Sequence, residues 1–275
     1  VKEGHDVLVI DNLVKGKKEN LTEVLEKIEF ANLDIRNYDD IEKNFRDLDG
    51  VFHQAALTVV QDSFSNPQEY HDVNVVGTEN IFKLSKKYDV KVVYASSSSV
   101  YGHQNIMPIK ENALRNPINP YGQTKLDDEH LYEKYSKMGT RIIGLRYFNI
   151  FGIGQTLQYA GVITKFLDRI KQGKPPIIFG KGQQIRDFVH VEDVAVANIL
   201  AMKNPKANFL SGGTDLSLIV TKERKDIDTI IDLKSISELD FIKTSKNYIE
   251  VGAVTPLIKF EKSLLEEIKF NIDKD

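Results

Sequence analysis

Apolar runs and helically spaced stretches alternate along roughly the first two hundred residues of the chain. The runs at 6–11 (DVLVID), 28–35 (IEFANLDI), 50–56 (GVFHQAA), 91–97 (KVVYASS) and 140–149 (TRIIGLRYFN) are rich in β-branched and aromatic residues and predict strands. Between them, 66–88 and 120–138 place apolar residues at helical intervals. Such alternation predicts βαβ units around a parallel sheet, and near-continuous apolar strands predict that both of its faces are covered. The expected fold class is therefore α/β and doubly wound. In such sheets ligands sit beyond the carboxyl ends of the strands, which draws attention to Asp11, Asp34, Ala55, Ser97 and Asn149. The opening VKEGHDVLVIDN reads as a helix end, with Gly4 as its C-cap, that feeds at once into a strand.

From about residue 161 the pattern changes to a helix at 162–172, a Pro- and Gly-containing loop (GKPPIIFGKGQQ) and a helix after RDFVHVEDV, the outline of a small substrate-covering lobe. Beyond Pro205 come FLSGGTDLSLIV, DTIIDL, SISELDFIKT and YIEVGAVTPL, with no repeat or low-complexity tract to mark a boundary. A formal charge of −3 gives no basic field for nucleic-acid binding but leaves room for a local phosphate pocket. The absence of cysteine excludes disulfides, thiolate nucleophiles and Cys-ligated metals, and no metal site is expected. No apolar run approaches the roughly 20 residues that span a bilayer, and no signal-peptide pattern is present, so a cytoplasmic setting is the expectation.

Three groups of residues suggest chemistry. An acidic residue at a strand end of a dinucleotide fold accepts hydrogen bonds from a ribose diol and repels a 2′-phosphate, favouring NAD over NADP; Asp11 is placed for this, and Asp34 with Ile35 for the adenine edge. Tyr121 and Lys125 in NPYGQTK are four apart, on one face of a helix that begins near Pro120. A lysine ammonium there stabilises a phenolate and makes the tyrosine a usable base. Ser96 to Ser99 follow an apolar strand directly, where a hydroxyl can hold the substrate oxygen whose proton the tyrosine takes. Each feature alone is weak, since YxxxK arises often by chance and an acidic strand end is commonly a turn.

Together, DNLVKGKKEN, LDIRNYDD, VFHQAA, NVVGTENI, YASSSSVYG, NPYGQTK, LRYFNIFG and IFGKGQQIRDFVHVEDVA resemble the extended short-chain dehydrogenase/reductase family, nearest to UDP-glucose 4-epimerases and related nucleotide-sugar epimerases, over about residues 1–205. The resemblance implies a Rossmann-type sheet and bound NAD. It places Asp11, Asn12, Asp34, Ile35, Ala55, Ala56, Leu57 and Tyr147 at the cofactor, with Asn74 beside them in a structural role. Ser97, Tyr121 and Lys125 become the catalytic group, with Tyr121 and Lys125 also touching cofactor. Ser97, Asn149, Val162, Phe179 and Arg186 become contacts to a nucleotide-sugar substrate, the arginine fork suiting a diphosphate. The implied reaction removes the sugar C4 hydride to NAD while Tyr121 takes the 4-hydroxyl proton, then returns the hydride to the other face of a 4-keto intermediate. Sugar-nucleotide dehydratases carry an Asp-Glu pair where this sequence has Ser98 and Ser99, which favours epimerisation. Relatives of this kind pair as homodimers through helices, the expected assembly here.

The family's first strand and GxxGxxG turn, expected ahead of VKEGHDVLVIDN, are not found in the sequence, so weak NAD binding is expected unless another segment supplies them. After VANILAM the epimerase pattern fades. The segment at about 206–275 resembles instead the front of the FAD-binding domain of molybdenum hydroxylases. That resemblance assigns Gly212, Gly213, Thr214, Asp215 and Leu216 to a flavin pyrophosphate loop, with Gly252, Ala253 and Thr255 following, in a small α+β partial domain. The chain is thus expected to join a shortened epimerase domain (1–205) to a partial FAD-binding segment. The alternatives to an epimerase are a flavin-binding fragment of a molybdopterin dehydrogenase subunit and a non-catalytic chimeric product.

Overall fold

The computed structural model describes residue 1 and residues 3–155, 161–178, 186–203, 242–244 and 249–251. Two compact units divide the chain, Val1–Ser211 and Gly212–Asp275. Phe179 and the proposed flavin residues Gly212, Gly213, Thr214, Asp215, Leu216, Gly252, Ala253 and Thr255 lie outside the described residues.

In the first unit the elements run β1 (Leu8–Ile10), β2 (Glu29–Ala31), α1 (Tyr38–Glu42), β3 (Gly50–His53), α2 (Val60–Ser65), α3 (Pro67–Tyr70), a π-helical turn (His71–Val76), α4 (Gly77–Tyr88), β4 (Lys91–Ser97), α5 (Pro120–Lys137), β5 (Ile142–Tyr147), β6 (Asn149–Phe151), α6 (Val162–Lys171), β7 (Phe188–His190) and α7 (Val191–Lys203). The second unit contributes an antiparallel pair, β8 (Ile242–Thr244) with β9 (Ile249–Val251). Ahead of β1, Gly4 takes φ +82° and its N–H bonds Val1 O at 3.1 Å in a turn; no helix precedes it among the described residues.

Every strand pair in the first unit is parallel, as the alternating pattern requires: β1 with β2, β3–β4–β5 in that order, and β6 with β7. The period of two along β4 sends side chains to opposite faces. Val92 and Tyr94 enter a cluster with Ile41, Phe45, Ile81, Phe82, Leu84, Tyr135 and Ile142, whereas Val93 faces Ile143, Leu145 and Ala201. Thus α4 and α5 cover one face of the sheet and α7 covers the other, which is why β4 and β5 read as unbroken apolar runs. The clusters are closely packed, with Phe82 edge-on to Tyr94 at a centroid distance of 5.4 Å.

The predicted single sheet is interrupted. No hydrogen-bonded ladder joins β1 to β3 among the described residues, although Ile10 and Val51 pack on the same cluster. Phe52, in the middle of β3, is 47% exposed. The predicted strand at 140–149 also divides: β5 ends at Tyr147, and β6 restarts at Asn149 to pair with β7, Asn149 N donating to Asp187 O at 3.2 Å.

Candidate active site

The elements that carry the candidate catalytic residues meet because α5 begins hard against the serine turn that follows β4. Asn119 caps the helix, its Oδ1 accepting from Gly122 N at 2.7 Å, and Pro120 takes the first helical position, where no N–H is needed. A Cβ on Gly122 would lie 2.8 Å from Ser99 O, so only glycine allows this approach. Ser97 ends β4 buried, and its Oγ accepts from Ser99 N at 3.2 Å to start the turn at Ser98–Tyr101. Tyr121, half-buried, thereby stands at the end of the same strand as Ser97, one helical turn before Lys125.

Lys125 is almost wholly enclosed. Its Nζ donates to Ala95 O at 3.1 Å and to Asp128 Oδ2 at 3.0 Å. Burial pulls the lysine toward its neutral form, but the Asp128 carboxylate, with Tyr121 and Tyr147, outweighs this and leaves its pKa above the ordinary lysine value. Behind it, His53 is buried with Nε2 2.8 Å from Thr78 Oγ1; desolvation, aided by the Lys125 charge, lowers its pKa to about 3 and keeps the ring neutral.

The sequence-predicted cofactor residues line a groove past the ends of β1 and β3. Asp11, Asn12, Ile35, Ala55, Ala56 and Leu57 share it with Ile10, Val14, Leu33 and Gln54. Asp11 Oδ1 accepts from Leu13 N at 2.6 Å and so fixes the loop, with Leu13 at φ +58°. Asp34 is bound by Asn12 Nδ2 at 2.9 Å and by Arg36 Nη2 at 2.7 Å, and its carboxyl is held well below the usual range, Arg36 being the main cause. Asp34 therefore shapes the groove's rim through its partners.

Asn74 is fully buried, and its amide clamps the loop after β3. Oδ1 accepts from Leu57 N at 2.8 Å, and Nδ2 donates to Leu57 O at 2.9 Å and to Thr124 Oγ1 at 3.0 Å. The loop after β3 and helix α5 are tied through this one side chain. Tyr147 Oη donates to Gln54 Oε1 at 3.2 Å and accepts from Asn198 Nδ2 at 2.6 Å, linking the groove to the Lys125 side. Gln54, Thr78, Asp128 and Asn198 were not singled out from sequence, although Gln54 directly precedes Ala55, Thr78 follows Asn74 by four residues and Asp128 follows Lys125 by three; Asn198 is far along the chain from the catalytic and cofactor candidates.

The proposed substrate residues are less closely gathered. Asn149 Nδ2 donates to Asp187 O at 2.7 Å, holding β6 to the segment before β7. Val162 opens α6 at 40% exposed, and Arg186 is exposed beside Asp187. A separate cavity lined by Glu111, Arg115, Glu129, Glu133 and Arg146 holds a network of ion pairs: Arg146 Nε meets Glu129 at 2.7 Å and Arg115 bridges Glu129 and Glu133 at 2.9 Å each. Among the described residues there is no metal-binding cluster and no helix long and apolar enough to cross a membrane.

Comparison with known proteins bears on these groups. The NAD dependent epimerase/dehydratase family matches residues 1–211, and the FAD binding domain in molybdopterin dehydrogenase matches residues 183–271. A Methanocaldococcus jannaschii protein named as a candidate UDP-glucose 4-epimerase is 44% identical over 223 residues, 77% of this chain and 71% of the relative. The UDP-glucose 4-epimerase of Lactobacillus helveticus is 36% identical over 222 residues, and this chain spans 66% of its length and matches through 74% of its own. The UDP-glucose 4-epimerase of Thermotoga maritima, solved with UDP-glucose, superposes with a TM-score of 0.70 at 34% identity, covering 74% of this chain and 67% of that one. A UDP-N-acetylglucosamine 4-epimerase from Methanobrevibacter ruminantium, in complex with UDP-N-acetylmuramic acid, gives a TM-score of 0.73 at 32% identity, with 98% and 91% covered.

Proposed function

The chain belongs to the NAD dependent epimerase/dehydratase family, and from that premise we propose that residues 1–211 carry the chemistry of an NAD-dependent UDP-sugar 4-epimerase. The observation that supports this most is the placing of Tyr121 one turn before a buried, charged Lys125, on a helix whose first turn abuts Ser99, in the turn that follows Ser97. The groove suits the adenosine side of a dinucleotide, with the Asp11 carboxylate at one end and Ile10, Val14, Leu33 and Ile35 as apolar walls. When bound, NAD would accept and return the hydride at the sugar's C4. The chain's own part is proton transfer and orientation. Tyr121 takes the 4-hydroxyl proton and later gives it back, Lys125 supports the phenolate, and Ser97 holds the same substrate oxygen. Ser98 and Ser99 carry no carboxyl group, so no acid/base pair for dehydration follows Ser97.

The test uses a chain that carries a strand and glycine turn ahead of Val1, with NAD and with UDP-glucose or UDP-galactose as substrate. Interconversion that falls by about 100-fold or more in Tyr121→Phe is the expected result. Such a chain that binds NAD yet exchanges no UDP-sugar overturns the assignment. A second reading, a flavin-binding segment toward the C-terminus, is favoured by the match of residues 183–271.

A further inference from the structure

The ion pair between Lys125 and Asp128 is unlike a surface helix staple. The two side chains are 4% and 0% exposed, and their N–O distance is 3.0 Å. On α5 the spacing Tyr121, Lys125, Asp128 puts all three on one face, with successive rises of about 6 and 4.5 Å along the axis. Lys125 therefore has the phenol on its N-terminal side and the carboxylate on its C-terminal side. An ammonium has three N–H donors. Ala95 O and Asp128 Oδ2 take two. The carboxylate is itself supported: Thr78, whose Oγ1 also meets His53 Nε2, favours its charged form, while Oδ1 makes no well-formed hydrogen bond.

We propose that Asp128 is a positioning residue for the site: through a buried, charge-assisted hydrogen bond it anchors the Lys125 ammonium one turn behind Tyr121, with the positive end of the pair toward the phenol. The catalytic part of this statement rests on the epimerase reading above; the pairing itself does not. The physical need is plain. A lysine this deeply buried sheds its proton unless an opposite charge is fixed beside it, and burial opposes the charged form of both partners here. The other groups facing the pair cannot replace the carboxylate. Tyr94 on β4 is a buried phenol, whose proton burial holds well above the ordinary range, and Tyr147 at the end of β5 is likewise kept protonated. His53 on β3 is neutral, and Asp127, on α5, opposes ionisation of Asp128. Tyr121 supports the lysine only in the form that catalysis consumes.

The experiment is a pH titration of the 275-residue chain with labelled lysine, following the Nζ and ε-methylene signals of Lys125 by NMR. The signal is identified by its loss in Lys125→Met. In the unsubstituted chain Lys125 is expected to stay an ammonium through the ordinary lysine range, and in Asp128→Asn to lose its proton about two pH units earlier. Asp128→Glu should restore most of the difference. If Asp128→Asn does not fold, Thr78→Val supplies the reading, with a smaller shift in the same direction. A titration unchanged by these substitutions overturns the proposal. No NAD or sugar nucleotide is needed, so this outcome is separate from failure of the epimerase reading, which shows as absent turnover. In the active chain that carries a strand and glycine turn ahead of Val1, Asp128→Asn should lower kcat about tenfold at alkaline pH, where the lysine charge is lost, and leave KM unchanged. A change in KM alone would also overturn it.

Discussion

His53 shows what one buried side chain imposes on the unit. Its ring ends β3 at 5% exposure with Thr78 as its hydrogen-bond partner, and its pKa falls to about 3 through burial, with the Lys125 charge adding to the effect. A base with a depressed folded pKa binds protons more weakly in the folded state than in the unfolded one. Its contribution is fully present above the unfolded value of about 6.5 and is lost as pH falls from there toward 3. Between pH 7 and 5 the expected loss of stability from this group is about 2 kcal/mol. Asp34, with a lowered pKa, acts in the same sense but only below the ordinary carboxylate range of about 3.9. Urea unfolding at pH 7 and pH 5 checks the assignment: His53→Gln should flatten the difference, and an equal slope in both proteins would move the effect to other groups. At this scale the sequence made Tyr121, Lys125 and Ser97 legible, because one helical turn and one strand end fix their relation. His53 and Thr78 were not legible as a pair, since 25 residues separate them and only the packing of α4 on the sheet brings them together. Asn198 reaches Gln54 across 144 residues in the same way.

Among the elements, α7 is secured by a contact of similar hidden origin. Lys91 opens β4, is buried, and donates from Nζ to Ala201 O at 2.8 Å and to Met202 O at 2.6 Å, carbonyls in the last turn of the helix as described, Val191–Lys203. The interaction suits the negative end of the helix dipole and sets α7 against Val93 on the sheet face away from α5. Lys91→Met keeps much of the side chain's bulk but leaves those carbonyls in an apolar setting. A loss of about 1–3 kcal/mol is expected in urea unfolding, with amide exchange rising first in the last turn of α7. Lys91→Arg should recover part of this; no change in Lys91→Met would remove the anchoring role. The element boundaries that sequence captured best, β4 and α5, have an apolar run ending in polar residues and an Asn-Pro start. The π-helical turn at His71–Val76 escaped because its apolar spacing resembles that of the α-helices on either side. The division of β5 from β6 escaped for another reason: it depends on the backbone of Asp187, a distant partner.

For the whole molecule, the groove, the Asn74 clamp and the Tyr121–Lys125–Asp128 column all lie within Val1–Ser211. The two matched families overlap on residues 183–211, which include β7 and α7, elements that pack with the first unit through Ala197 and Ala201. The overlap alone therefore does not assign that stretch to a flavin domain; its side chains serve the parallel sheet. A chain ending at Ser211 should then keep whatever thermal response to NAD the chain through Asp275 has, each carrying the same strand and glycine turn ahead of Val1, with midpoints that agree within about 2 °C. Any stabilisation by FAD should vanish with residues 212–275, because the glycines assigned to the flavin loop, Gly212 and Gly213, go with them. Loss of the NAD response on truncation would mean that the dinucleotide groove needs side chains from the second unit. Retention of an FAD response would place flavin binding in the first unit and remove the support for Gly212 and Gly213 as its ligands. The pair of melts thus separates the two cofactors by the part of the chain that responds, a distinction that composition and motif order leave open.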